Sequence, residues 1–274
     1  MEHVVVIRPK KRLAIDWKEL KEYRELFFYF AWRDVKVRYK QTAIGILWAI
    51  LQPFIQMVVF TLFFNKAVGI ETGSAVPYAI FSYTGLLFWN YFSQALQRSA
   101  NSLVDNQAVV TKVYFPRIIP PISSTIVSLI DFGFASIIFI GLMVYFQFVP
   151  SLLGVALLIP AIFVTFIAAT GPGLFLAAVN VKYRDVKQAL PFLVQLGLFL
   201  TPVIYPVTAI PQQYQWLLYL NPMTGVINAM RASFLGAGEI NWPLTALSVA
   251  MAVIMFIGGL YYFKGREKEF ADII

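Results

Sequence analysis

Asp131 is the ionisable residue that the sequence places deep inside a long apolar run, Ile118 to Val149. A carboxylate in such a setting can relay protons, face a hydrated path or pair with a polar neighbour. Proton coupling and a structural or path-lining role are therefore both open for it. Asp105 and Asp185 lie in polar loops and stand too far from other acids and bases to form the clustered site that an enzyme acting on polyprenyl phosphates requires. The chain has no cysteine and one histidine, His3, in a polar terminus. Thiolate metal sites, iron–sulfur clusters, disulfides and cysteine nucleophiles are excluded, and histidine-based metal or acid–base sites have almost nothing to draw on. No G-x-x-x-x-G-K-[ST] phosphate loop occurs, so the chain does not hold ATP in that manner. A ring of carboxylates or a carbonyl filter of the kind an ion channel uses is not legible either.

The elements that must position these residues are set by hydrophobicity. Of 274 residues, 59% are hydrophobic and 13% charged, which does not describe a soluble surface. A membrane-crossing helix needs about 20 apolar residues. Stretches of that length run at about 45–64, 76–96, 118–149, 151–179, 189–210 and 243–263. They predict an all-α integral membrane domain over 45–263, preceded by a cytoplasmic N-terminus, 1–44, and followed by a tail, 264–274. The first 44 residues carry eleven Lys and Arg and no apolar core, so no signal peptide is read there. Asp16 and Glu19 form a plausible cap for a helix from Trp17 towards Tyr39. Within it Trp17, Leu20, Tyr23, Phe27 and Phe30 recur on one face, predicting an amphipathic helix at the membrane surface or against a partner.

Gln188 to Met230 is a run of 43 uncharged residues that could hold two spans, or one span and a half-inserted segment. Its second half carries three glutamines, two asparagines and Pro222, which suits a re-entrant or external pair of short helices better than a lipid-facing span. Charge asymmetry gives the same answer. With six spans and both termini in the cytoplasm, 20 of the 22 Lys and Arg fall inside, and only Lys66 and Arg231 fall outside. The formal net charge of +8 then reflects loops facing anionic lipid and requires no nucleic acid.

Four segments carry a family resemblance: "RDVKVRYKQTAIGILWAILQP" (Arg33 to Pro53), "NQAVVTKVYFPRIIPP" (Asn106 to Pro121), "VNVKYRDVKQALPFLVQLGLFLTPVIYP" (Val179 to Pro206) and "LNPMTGVINAMRASFLG" (Leu220 to Gly236). In order and spacing the chain resembles the permeases of ABC-2-type transporters, and within them the branch that exports O antigen, teichoic acid and capsule. That resemblance implies a bacterial inner-membrane homodimer of six-span subunits. It also implies two separate ABC ATPase subunits, which bind ATP and Mg on the cytoplasmic face, and a lipid-linked polysaccharide as cargo. This chain itself would carry no cofactor and no catalytic residue.

Carried onto this sequence, the resemblance assigns ATPase coupling to Asp105, Asn106, Val109, Lys112, Tyr114, Phe115 and Arg117, and to Tyr183, Arg184 and Asp185 in the next internal loop. The external gate falls between Tyr205 and Met230. Candidate path and gate residues are Trp89, Tyr91, Asp131, Tyr145, Tyr205, Trp216, Tyr219, Asn221 and Arg231. Aromatic side chains make up 16% of the sequence and suit contact with the C–H faces of sugar rings, although Trp and Tyr also collect at membrane interfaces generally. Prolines 191, 202, 206 and 211 and the Thr170 to Gly173 segment predict kinks or hinges. Export of a drug, peptide or simpler lipid, and an ion-coupled transporter using Asp131, are the alternatives.

Overall fold

The computed structural model describes residues 21–40, 45, 47–72 and 74–270. The expected cap at Asp16 and Glu19 and the residues Trp17 and Leu20 lie outside these. The order of elements is α1 (Arg24–Lys40), α2 (Leu47–Phe60) continuing into a π-helix (Thr61–Ala67), α3 (Tyr78–Asp105), α4 (Gln107–Val110), α5 (Ile119–Tyr145), α6 (Leu152–Lys182), α7 (Val186–Leu200), α8 (Gln215–Leu218), α9 (Pro222–Leu235) and α10 (Trp242–Arg266). No strand occurs among the described residues.

Four stretches, Leu47–Ala67, Ile119–Tyr145, Leu152–Lys182 and Trp242–Glu269, are long and apolar enough to cross a membrane. The 27 residues of α5 and 31 of α6 reach about 40 and 46 Å at 1.5 Å per residue, more than a hydrocarbon core of about 30 Å. α3 is comparably long, with 28 residues, but its second half is polar. It runs past the expected end near residue 96 because those polar side chains bond back along the helix. Gln97 donates to the Ser93 carbonyl at 3.1 Å, and Asn101 to the Gln97 carbonyl at 2.9 Å. α3 is the centre of the molecule, packed against α5 and α6 and also touched by α2, α7 and α9.

The segment expected to span 189–210 is helical only over Val186–Leu200. Thr201 is extended, at φ −90° and ψ 142°, as expected before Pro202, whose ring disfavours a helical predecessor and which has no N–H to continue the ladder. Short 3₁₀ turns and the four-residue α8 come next, and then α9 is capped by the Asn221 side chain. Gly236 ends α9 in the left-handed region at φ 64°, with the Gly236 and Ala237 amides bonded back into the last turn. Between α6 and α10 the backbones meet at Gly171 and Gly259, where a Cβ on Gly259 would overlap the Gly171 backbone. Small residues at such a crossing are how membrane helices gain packing contact without a hydrophobic drive between them.

Two apolar cores result. The larger fills the space around α3, with Tyr83, Phe88, Trp89, Phe132 and Met223 among its members. The smaller lies at the basic end of the bundle, where Phe30, Leu103, Val110, Phe115, Val181, Phe263 and Phe270 meet. The predicted inward face of α1 is seated in it, since Tyr23, Leu26 and Phe27 pack against the same cluster. Phe28, Tyr29 and Trp32, on other faces of α1, are exposed.

Candidate functional site

At the basic end, the loop after α3 folds as a raised turn on a buried base. Val110 and Phe115 are 0% and 1% exposed, while Val113 and Tyr114 between them are 51% and 71% exposed. The Phe115 ring lies 5.7 Å from Phe30 on α1, and the Arg33 guanidinium sits 4.9 Å above Phe30. The Arg117 amide donates to the Glu267 carboxylate at 3.0 Å, and its guanidinium donates to the Phe115 carbonyl at 3.2 Å. Glu267 is held in turn by Lys264 at 2.7 Å. The turn therefore rests on α1 and on the tail of α10 together. Its helix, α4, stops at Val110.

The second expected loop stands beside it. Tyr183 to Asp185 are exposed, and Lys182 lies 5.1 Å from the Tyr183 ring. Lys187 bonds Asp105 at 2.9 Å, which ties this loop to the end of α3. Asn106, buried, closes α3 by donating to the Ser102 carbonyl at 2.7 Å. Asp105, Asn106, Val109, Lys112, Tyr114, Phe115 and Arg117 thus gather with Tyr183, Arg184 and Asp185 at one end of the molecule.

Asp131 lies beneath this surface and holds three elements together. Its carboxylate receives Arg98 of α3 at 2.8 Å and Arg38 of α1 at 2.9 Å, and the Tyr39 hydroxyl donates to its other oxygen. Burial and the neighbouring carboxylate hold the Tyr39 phenol well above its ordinary range, so it stays a donor. Sequence reasoning finds Asp131 but neither arginine nor Tyr39, because Arg38 and Tyr39 fall in the predicted surface helix and Arg98 in an internal loop, all outside the apolar runs. A carboxylate at mid-span with arginines flanking other spans is the available signal.

At the opposite end, Arg231 is not in a loop but in α9, and it is 2% exposed. Its Nε donates to the Phe81 carbonyl at 3.0 Å, Nη1 to Pro202 at 2.6 Å and Nη2 to Val203 at 2.5 Å, with the guanidinium 3.6 Å above the Phe81 ring. Pro202 and Val203 offer free carbonyls because the helix breaks there. Asn221 caps α9 and donates to the Thr201 hydroxyl at 2.7 Å. Tyr219, 1% exposed, receives Asn228 at 3.0 Å. Tyr205 is half-buried and bonds the Leu200 carbonyl at 3.2 Å, whereas Trp216 is exposed. The remaining aromatics are dispersed. Trp89 and Tyr91 are buried within the molecule, Trp89 5.3 Å from Phe92 and Tyr91 5.5 Å from Phe132, and Tyr145 is 78% exposed at the end of α5.

The sequence profile of the ABC-2 type transporter family matches residues 25–235. The O-antigen export system permease protein RfbA of Myxococcus xanthus is 31% identical over 265 residues, covering 94% of this chain and 98% of the relative. An O-antigen export system permease protein RfbA of Klebsiella pneumoniae is 25% identical over 246 residues, covering 88% and 92%. The polysialic acid transport protein KpsM of Escherichia coli is 26% identical over 248 residues, covering 86% and 91%. With most of its helical domain matched by the family profile and these relatives matched over nearly their full length, the chain belongs to the ABC-2 type transporter family.

Proposed function

We propose that this chain is the transmembrane permease subunit of an exporter that moves a lipid-linked, O-antigen-like polysaccharide across a bacterial inner membrane, driven by ATP hydrolysis on a separate subunit. The observation that carries the reading is the exposed turn at Thr111–Tyr114 on its buried base, with the Tyr183–Lys187 loop fastened beside it through Asp105. Such a surface can receive a push from a soluble ATPase and pass it to α1, α3 and the α10 tail, which share its core. The full-length similarity to O-antigen export permeases supports the choice of cargo.

In this reading six segments cross the membrane: α2 with its π-helix, α3, α5, α6, α7 and α10. The basic end and both termini are cytoplasmic, and α8 and α9 with the turns before them form the external gate. Two copies frame the path. The exposed apolar face of α7, with Phe192, Leu193, Leu196 and Phe199, and the exposed flank of α2 are the surfaces available to lipid and to the second copy. Each partner ATPase supplies ATP and Mg. Asp131, satisfied by two arginines and a tyrosine, acts as a joint between elements rather than as a proton carrier.

The test has two arms. Deleting the gene is expected to remove the strain's surface glycan while lipid-linked glycan accumulates at the inner face; an unchanged surface glycan overturns the reading. Affinity purification of the tagged chain from its own membranes is expected to recover an ABC ATPase in equal amount, with ATPase activity in the complex. Recovery of the chain alone favours ion coupling instead.

A further inference from the structure

The end of the molecule opposite the coupling surface holds three cavities that adjoin one another. The first, about 540 Å³, runs between Phe148 and Trp242 past Ser233. The second, about 330 Å³, is lined by Gln215, Tyr219, Asn228 and Asn241, and shares Gly238, Glu239 and Ile240 with the first. The third, about 340 Å³, lies among Asn65, Glu71 and Ser74, and shares Thr72 with the second. Each is of the size that holds a small ligand, and their succession suits a chain of units better than one compact molecule.

Their lining chemistry is specific. Asn65, Gln215 and Asn228 each spend one N–H on the Ile70 carbonyl, the Ile210 carbonyl and the Tyr219 hydroxyl, and the Asn241 oxygen caps α10 at the Leu244 amide; the rest of each amide, with the exposed carboxylates of Glu71 and Glu239, faces the cavities with donors and acceptors. Trp242, 53% exposed, presents an indole beside the first cavity. The cation on these walls, Arg231, is 2% exposed and turns its donors to the Phe81, Pro202 and Val203 carbonyls, so it lends the cavity its charge but little reachable N–H. The two exposed carboxylates outnumber that one buried cation among the described lining residues, and the net negative walls disfavour a phosphate or a polyanionic glycan. Amides, carboxylates and an aromatic face together are what the hydroxyls and C–H faces of a neutral sugar chain can use.

We propose that these joined cavities form a groove that binds several successive residues of an uncharged glycan, so that this exporter's cargo is a neutral rather than an acidic polysaccharide. The inference rests on the export reading above and adds the charge class of the cargo and where it rests on leaving the gate. The groove is built by one copy of the chain, from residues 65–72 and 74–78, the connection 148–153, the gate segment 207–222, α9 and the start of α10.

Calorimetric titration of the full-length chain in lipid nanodiscs with lipid-free surface polysaccharide from the producing strain, cut to a few repeats, tests the groove. Saturable binding is expected, weakened at least tenfold by Glu239→Gln and by Asn228→Ala, and unchanged by Glu269→Gln at the opposite end. Glu239 is exposed, so Glu239→Gln is expected to melt like the parent, which a melting curve on the same sample checks. A sialic acid oligomer in tenfold excess is expected not to compete. Absence of binding to the unaltered chain, equal binding by both variants, or competition by the acidic oligomer overturns the groove while leaving export intact. If the deletion strain keeps its surface glycan, export and groove fall together.

Discussion

Among the described residues each end of the molecule buries one charged side chain, and the two are satisfied in opposite ways. Asp131 is met by side chains from two other elements, Arg38 on α1 and Arg98 on α3, with Tyr39 as a third donor. Arg231 is met by backbone, the carbonyls of Phe81, Pro202 and Val203. A link made of long, partly exposed side chains can slide, lengthen or exchange partners as its elements move. Carbonyls fixed in a chain break and a helix leave their partner no such freedom. The basic end is thus built as a joint and the opposite end as a staple, as the proposed transmission from a coupling surface towards a stationary gate hinge requires.

The staple gives the largest expected effect. Arg231→Ala leaves three carbonyls without their donor and a void against Phe81, a loss of about 3 kcal/mol or more from the buried unsatisfied groups. The expected result is a sharply lower melting temperature by fluorescence-detected size exclusion. Arg231→Lys, which keeps charge but cannot reach three carbonyls as a planar fork, should recover only part of it. A variant melting like the parent would remove the distinction between the two ends. Asp131→Asn comes next. Its arginine partners have side chains 34% and 21% exposed, so water can take over part of their solvation, and about 1–3 kcal/mol is expected. Adding Arg98→Ala should recover part of that stability in a double-mutant cycle, since it removes one of the two cations that lose the carboxylate, while Arg38 keeps its bond to Gln94 at 3.3 Å. As a joint, Asp131→Asn should lower glycan export per ATP hydrolysed; export by the unaltered chain that stops when the proton gradient alone is collapsed, with ATP maintained, would instead make the carboxylate a proton carrier.

Much of this is legible in the sequence, and the parts that are not have physical reasons. Apolar length locates α5, α6 and α10 because lipid-length helices have no competing fold. It ends the span near residue 96 and reads the polar stretch after Arg98 as a separate short helix, whereas Gln97, Asn101 and Asn106 bond back along one continuous α3. It overruns α7, where Pro202 and the extended Thr201 outweigh the hydrophobicity of residues 203–210. Asp131 stands out through its isolation within an apolar run, but pairing across 33 and 93 positions leaves no local pattern to read. Arg231 reads as an external loop charge because a helix buried after a chain break looks like any uncharged segment with one arginine at its end.

Two smaller effects bear on the joint. Tyr114→Ala removes a side chain that is 71% exposed, so stability should stay within about 0.5 kcal/mol of the parent, as for ordinary surface changes. Recovery of the ATPase with the tagged chain should nevertheless fall several-fold. Equal recovery would move the docking point off this turn.

The smallest effect is expected from Lys187→Ala, because Lys187 and Asp105 have side chains 57% and 53% exposed and such pairs contribute about 0–1 kcal/mol. Its value lies in what it separates. The pair bridges the end of α3 and the start of α7, next to the two exposed loops, so losing it should leave melting and ATPase recovery nearly unchanged while lowering glycan export per ATP hydrolysed. Charge reversal, with Asp105→Lys and Lys187→Asp together, should restore that ratio if the bridge carries motion between the loops. If export per ATP is the same in all three forms, the two loops act independently, and the joint reduces to the buried contacts among Asp131, Arg38, Arg98 and Tyr39, through which any push from the ATPase must then pass.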